Sequence, residues 1–123
     1  MDLGWTEVRD ESLRELGRAQ GLRELSLQRT AVTNAGMKHI AGLKGLRKLD
    51  LSMSKVTAAG IKTLAGLKDL TELSLFGIPL TDEGAKEVAV FKGLKLLQVG
   101  DTKITEKGLT ELKKALPGCQ IGR

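Results

Sequence analysis

The sequence predicts an α/β solenoid, one stack of coils with parallel strands on one face and helices on the other. Three observations predict it. The pattern Leu-x-x-Leu-x-Leu starts at Leu22, Leu46 and Leu70, and returns as Leu94, Leu97 and Val99, a fixed period of 24 residues. Each copy continues into a small polar residue, an apolar residue and a Thr, as in Thr30-Val32-Thr33, Ser54-Val56-Thr57 and Thr102-Ile104-Thr105, while the third copy reads Ile78-Leu80-Thr81. Within each unit the apolar spacing passes from strict alternation to a helical stripe.

The chain opens inside a unit. Counting back one period, Leu3, Thr6 and Val8 match Leu27, Thr30 and Val32, and Leu13, Leu16 and Ala19 match Met37, Ile40 and Leu43. One domain over 1–123 therefore comprises a partial unit 1–21, full units 22–45, 46–69 and 70–93, and a last unit with a C-terminal cap over 94–123. Such an opening reads either as a segment cut from a longer array or as a minimal cap made by Met1 to Trp5. An uncovered strand edge there would suit a homodimer.

In each full unit the strand comes first. Leu25 and Leu27 point inward, and Ser26 and Gln28 then face water on the other side. The helix follows, with Thr33, Thr57, Thr81 and Thr105 placed as N-caps that accept from a free N–H of the first turn. Met37, Ile40, Ala41 and Leu43 form its apolar stripe, and Asp82, Glu83 and Glu106 suit the positive helix end. Gly36, Gly60, Gly84 and Gly108 recur three residues past the cap, where glycine costs roughly 0.5–1 kcal/mol against Ala. A side chain there is expected to clash with the neighbouring coil. Gly45, Asp69 and Gly93 then begin the turn to the next strand.

Parallel strands joined through helices predict a right-handed path. A unit has only about seven larger apolar side chains, too few to offset ordering its residues alone, so the array folds together. At the far end, Pro117 and Gly118 close the last helix, and Ile121 falls on the second strand Leu position of a fifth unit. The third unit departs from the rest. A Thr or Ser at its small polar position would bond backbone as the chain leaves the strand; Ile78 cannot, and Pro79 fixes the local backbone. The loop is expected to repack around Ile78.

The second half of each unit, Thr33-Asn34-Ala35-Gly36-Met37, Thr57-Ala58-Ala59-Gly60-Ile61, Thr81-Asp82-Glu83-Gly84-Ala85 and Thr105-Glu106-Lys107-Gly108-Leu109, narrows the likeness. It resembles the leucine-rich repeat, in the 24-residue bacterial class related to the GALA-type repeats of the ribonuclease-inhibitor-like group. The resemblance covers nearly the whole chain and concerns packing positions, so it is specific for fold and almost silent on activity. GALA-like proteins can act as ubiquitin-ligase adaptors through a separate F-box; no such segment is visible, and that role is not carried over.

The composition fits one domain with an adequate core; three aromatics among 123 residues reflect an aliphatic repeat. No apolar run is long enough to span a membrane, and Met1-Asp2-Leu3-Gly4 does not open a signal peptide. One Cys precludes an intrachain disulfide and agrees with a reducing, cytoplasmic setting.

The formal charge of +5 is arranged in columns: Lys38, Lys62 and Lys86; Lys44, Lys68 and Lys92; and Arg23, Arg47 and Lys95. These form either a ridge for an anion or nucleic acid, or a solvated convex face that complements helix C-termini. The stacking aromatics of single-strand binders are missing from the ridge, which speaks against nucleic acid.

The strand, or concave, face is the better binding candidate. Its exposed positions are Glu24, Ser26, Gln28 and Arg29; Lys48, Asp50, Ser52 and Met53; Glu72, Ser74, Phe76 and Gly77; and Leu96, Gln98, Gly100 and Asp101. Trp5, Arg29, Met53 and Phe76 form a diagonal strip where small polar residues are usual, and such residue types are enriched in interface cores. With Gln28 and Asp50 they are the candidate protein-binding residues, against the bland alternatives that Trp5 covers the core end and Phe76 packs over Gly77 and Gly100.

Catalytic chemistry is thin. His39 falls on the exposed side of a helix, Cys119 has no second Cys or His in sequence reach, and Asp10-Glu11 and Asp82-Glu83 occupy helix starts. No phosphate-loop, nucleophile-elbow or zinc-protease motif is present, and no cofactor or metal is implied. The expected function is non-catalytic protein binding on the strand face. The alternatives are a spacer segment in a larger repeat protein, or anion or nucleic-acid binding on the Lys ridge.

Overall fold

A computed structural model describes residues 1–4 and 6–123. The elements alternate strictly: α1 (Asp10–Leu16), β1 (Glu24–Ser26), α2 (Asn34–Ile40), β2 (Lys48–Asp50), α3 (Ala58–Thr63), β3 (Glu72–Ser74), α4 (Asp82–Val88), β4 (Leu96–Gln98), α5 (Glu106–Ala115) and β5 (Gln120–Gly122). The strands form one parallel sheet in chain order, β1-β2-β3-β4-β5, and each helix packs on the next. This is the predicted solenoid.

The register repeats the sequence period. Leu25, Leu49, Leu73, Leu97 and Ile121 are successive partners across the sheet, so Ile121 takes the position expected of a fifth strand. The named strands are only three residues long, yet pairing runs further. Leu27, Leu51, Leu75 and Val99 donate to Asp50, Ser74, Gln98 and Gly122, and Arg29, Met53 and Gly77 donate to Ser52, Phe76 and Gly100. At the N-terminal side Leu3 donates to Ser26 and Ser26 donates to Met1, which continues the ladder by one partial rung.

Side chains carry the period into the core. Leu27, Leu51, Leu75 and Val99 are buried, as are Met37, Ile61, Ala85 and Leu109 from the helices. The partial unit is thinner: Leu13 is fully buried and Leu16 half-buried, but Ala19, expected to match Leu43, is exposed. Its single methyl group cannot span the distance that Leu43 fills.

The small polar column performs its expected task. Thr6, Thr30, Ser54 and Thr102 hydroxyls donate to the carbonyls of Leu3, Leu27, Leu51 and Val99 at 2.6–2.7 Å. Val8, Val56 and Ile104 N–H groups donate back to these hydroxyls at 3.4 Å. In the third unit Ile78 is fully buried, and Leu80 N–H donates instead to the Ile78 carbonyl at 2.7 Å. That i to i+2 bond closes a γ-type turn around Pro79, whose ring holds φ near the value the inverse turn needs. The loop has repacked around Ile78, as expected.

The helix caps hold a finding the sequence reading did not reach. All four Thr residues sit at N-cap positions with extended backbone, but only Thr33 and Thr105 accept an N–H of their own helix, from Ala35 and Gly108. Thr57 and Thr81 make no such bond, contrary to expectation. The caps are tied mainly to the preceding unit. Asp10 accepts Thr33 N–H at 2.8 Å and the Thr33 hydroxyl at 2.5 Å, and Asp82 does the same with Thr105 at the same distances. Asn34 accepts Thr57 N–H at 2.8 Å while its Nδ2 donates to Thr57 Oγ1 at 2.7 Å. Each is a two-bond clamp from one coil to the next. The corresponding position before Thr81 is Ala58, so that clamp is missing.

These clamps explain the glycine column more closely than a general clash with the neighbouring coil. A Cβ on Gly36 would sit 2.5 Å from Asp10 Oδ1, and on Gly60 and Gly108 it would overlap Asn34 Oδ1 and Asp82 Oδ1. Glycine leaves room for the clamping side chain of the previous unit. At Gly84 the neighbours are instead Leu80 Cδ2 at 2.7 Å and Ala58 Cβ at 3.2 Å.

Candidate protein-binding face

The alternation of each strand puts Glu24, Lys48, Glu72 and Leu96 in one outward column, paired in register, and Ser26, Asp50, Ser74 and Gln98 in the next. Leu96, 43% exposed, is the apolar member of a charged column; it was placed on this face by its spacing but not among the candidate binding residues. Lys48 Nζ lies 3.7 Å from Glu72 Oε2. The two columns border a shallow, open depression of about 360 Å³.

Beyond the strands the chain turns through a third and a fourth column. The fourth is Arg29, Met53, Gly77 and Asp101, all left-handed with φ of 54°, 58°, 76° and 53°. Only glycine adopts this backbone without strain; an L side chain there costs roughly 1–2 kcal/mol, somewhat less for Asp. Gly77 is the unstrained member, and Met53 Sδ occupies the space a Cβ there would fill, so any side chain would displace the Met53 thioether.

The third column is Gln28, Ser52, Phe76 and Gly100. Three of its N–H groups are met from their own strand: Gln28 donates to Ser26 Oγ at 3.5 Å, Ser52 to Asp50 Oδ1 at 2.9 Å, and Gly100 to Gln98 Oε1 at 2.9 Å. Two expected exposures are corrected here. Ser52 is buried, its hydroxyl 2.7 Å from that of Ser74, and Gly100 is buried beneath the Phe76 ring, whose Cδ2 would lie 3.0 Å from an added Cβ.

Of the candidate residues, Met53 and Phe76 remain 37% and 41% exposed although each covers a glycine of the following unit. Arg29 is exposed, and Gln28 and Asp50 are half-buried on the same side. The packing alternative for Phe76 is thus met at Gly100, and much of the ring still faces solvent. Trp5 lies outside the described residues.

The basic columns are exposed on the helix side and its turns. Several of their members have local tasks: Lys92 Nζ donates to Ala115 O at the end of α5, Lys86 is 3.3 Å from Glu83, and the Arg23 guanidinium lies over Gly45. His39 is half-buried rather than exposed, because Gly17 packs onto its backbone. Cys119 is half-buried too, and burial pushes its thiol above the usual range, away from thiolate reactivity. Among the described residues no three His, Cys, Asp or Glu side chains gather as a metal would need, and no helix is long and apolar enough to cross a membrane.

Residues 20–80 match the leucine rich repeat family. A leucine-rich-repeat protein from Leptospira interrogans superposes with a TM-score of 0.70 at 30% identity, over 89% of this chain and 27% of that one. An internalin from Listeria monocytogenes does so with a TM-score of 0.53 at 18% identity, over 87% of this chain and 36% of that one, a likeness of fold alone. The chain therefore spans about a quarter of the first protein's length and about a third of the second's. No curated protein sequence matches it. Neither likeness bears on the GALA-like class. With period, register, core columns and these likenesses in agreement, the chain belongs to the leucine-rich-repeat family.

Proposed function

We propose that this chain is a non-catalytic protein-binding module that engages its partner through the strand face. Repeats of this family commonly mediate protein–protein interaction. Met53 and Phe76 carry the assignment to the strand face. Both are large apolar side chains that stay more than a third exposed, as Leu96 does, and each of the two is braced over a glycine of the following unit. A rigid apolar group in a polar rim is the usual form of an interface anchor. Arg29, Gln28 and Asp50 would supply the surrounding polar contacts, and Trp5 joins them on its sequence column alone.

The left-handed column supports the same reading. At three positions where glycine would relieve strain the chain keeps Arg29, Met53 and Asp101, and such strain is concentrated at functional surfaces. The raised thiol of Cys119 and the packed position of His39 fit a chain that does no chemistry of its own.

Ligands selected from a random peptide library on the immobilised chain provide the test. The Met53→Ala, Phe76→Ala double variant is expected to lose about tenfold or more in affinity with its melting transition retained. Neutralising Lys38, Lys62 and Lys86 to Gln is expected to leave binding unchanged. Unchanged affinity in the double variant, or loss in the lysine variant, overturns the proposal and favours the helix-side ridge.

A further inference from the structure

The charge of the strand face is opposite to that of the molecule. Around the depression lie the carboxylates of Asp2, Glu24, Asp50 and Glu72 against the ammonium groups of Lys48 and the Met1 N-terminus, four negative charges and two positive, a net of −2. The whole chain carries +5, so the positive charge is concentrated elsewhere. Lys48 is matched by Glu72 at 3.7 Å, which leaves Asp2, Glu24 and Asp50 against the Met1 ammonium. Asp50 uses Oδ1 for Ser52 N–H, and among the described residues no hydrogen bond reaches its Oδ2. These carboxylates occupy the first units, while exposed Phe76 and Leu96 lie in the third and fourth.

The N–H groups of Gln28, Ser52 and Gly100 are each covered by the side chain two residues earlier, but in the third unit Ser74 Oγ is paired with Ser52 Oγ instead. Among the described residues Phe76 N–H has no such side-chain cover.

Resting on the strand-face reading, we propose that the partner presents a cationic segment of another protein, in which lysine or arginine side chains flank an apolar anchor. The anchor would lie against Phe76 and Leu96, with the cations over Glu24 and Asp50. Complementary charge of this kind orients the segment and excludes acidic competitors.

The probes are three fluorescein-labelled synthetic peptides with one Phe-Leu core, flanked by lysines, by serines or by glutamates. The lysine peptide is expected to bind about tenfold or more tighter than the serine peptide, and the glutamate peptide weakest. The Glu24→Gln, Asp50→Asn variant, which retains the Ser52 contact, is expected to bring the lysine peptide to the serine level. Phe76→Ala is expected to weaken the lysine and serine peptides alike. Equal lysine and serine affinities, both still weakened by Phe76→Ala, overturn the cationic partner and leave the strand face standing. A lysine preference untouched by Glu24→Gln, Asp50→Asn also overturns it, and insensitivity to Phe76→Ala overturns the strand-face reading. Absence of binding by every peptide overturns both. Self-association abolished by the same carboxylate substitutions overturns it in favour of a second copy.

Discussion

The second and third full units have the same length and register and are held in different ways. In the unit over 46–69, Thr57 is clamped to Asn34 of the preceding coil, and Ser54 ties the strand exit to Leu51. In the unit over 70–93, Thr81 faces Ala58 and has no clamp, the hydroxyl is replaced by fully buried Ile78, and a turn around Pro79 satisfies Leu80 N–H. One unit is fixed by side-chain hydrogen bonds, the other by apolar packing and a stiff turn. The comparison teaches that the repeat specifies a shape, and that different chemistry can meet it. The less bonded unit also carries Phe76, the most exposed aromatic among the described residues.

Adding a methyl group to the glycine column gives the largest contrast. Gly60→Ala would press on Asn34 Oδ1 and Val56, and is expected to cost about 1–3 kcal/mol. Gly84→Ala meets only the far end of Leu80 and the small Ala58, so gained helix propensity offsets much of the clash and the cost should stay below about 1 kcal/mol. Urea unfolding of the pair measures both; equal losses would break the link between glycine and clamp.

Removing a clamp comes next. Asn34→Ala withdraws two bonds from Thr57 and is expected to cost about 1–2 kcal/mol by the same measurement. The converse, Ala58→Asn, places an amide opposite Thr81 where Gly84 leaves room, and is expected to stabilise by about 0.5–1.5 kcal/mol. A loss there would show that the third unit cannot take the geometry of the second.

The smallest effect is in pH. The Thr105 hydroxyl and then its backbone N–H hold the Asp82 carboxyl below its ordinary value of 3.8. A carboxylate with a depressed folded value stabilises the fold fully above its unfolded value, and that contribution is lost as pH falls through the lower, folded one. Asp82→Asn copies the Asn34 clamp without a titrating group. Its melting temperature should therefore fall less than that of the parent chain between about pH 6 and about pH 2. Parallel decline of the two would exclude Asp82 as a source of acid sensitivity.

How much of this could be read from residues alone follows from distance. The 24-residue columns, the strand exits at Thr30, Ser54 and Thr102, and the exception at Ile78 are local patterns, and each was legible. The clamps were not, because Asp10, Asn34 and Asp82 reach partners 23 residues on, one short of the period, and look like variable positions within their own helices. The binding face was legible in part. Alternation put Met53, Phe76 and Leu96 outside, but the burial of Ser52 and Gly100 depends on the Ser74 hydroxyl and the Phe76 ring reaching across from adjacent coils.

The left-handed column has one more consequence. Because glycine would suit the backbone at Arg29, Met53 and Asp101 better than any side chain, the backbone shape of the coil does not by itself call for the residues found there. Such places behave like interchangeable type in a fixed printing frame: the lettering along that flank can be reset for another reader while the pages stay bound.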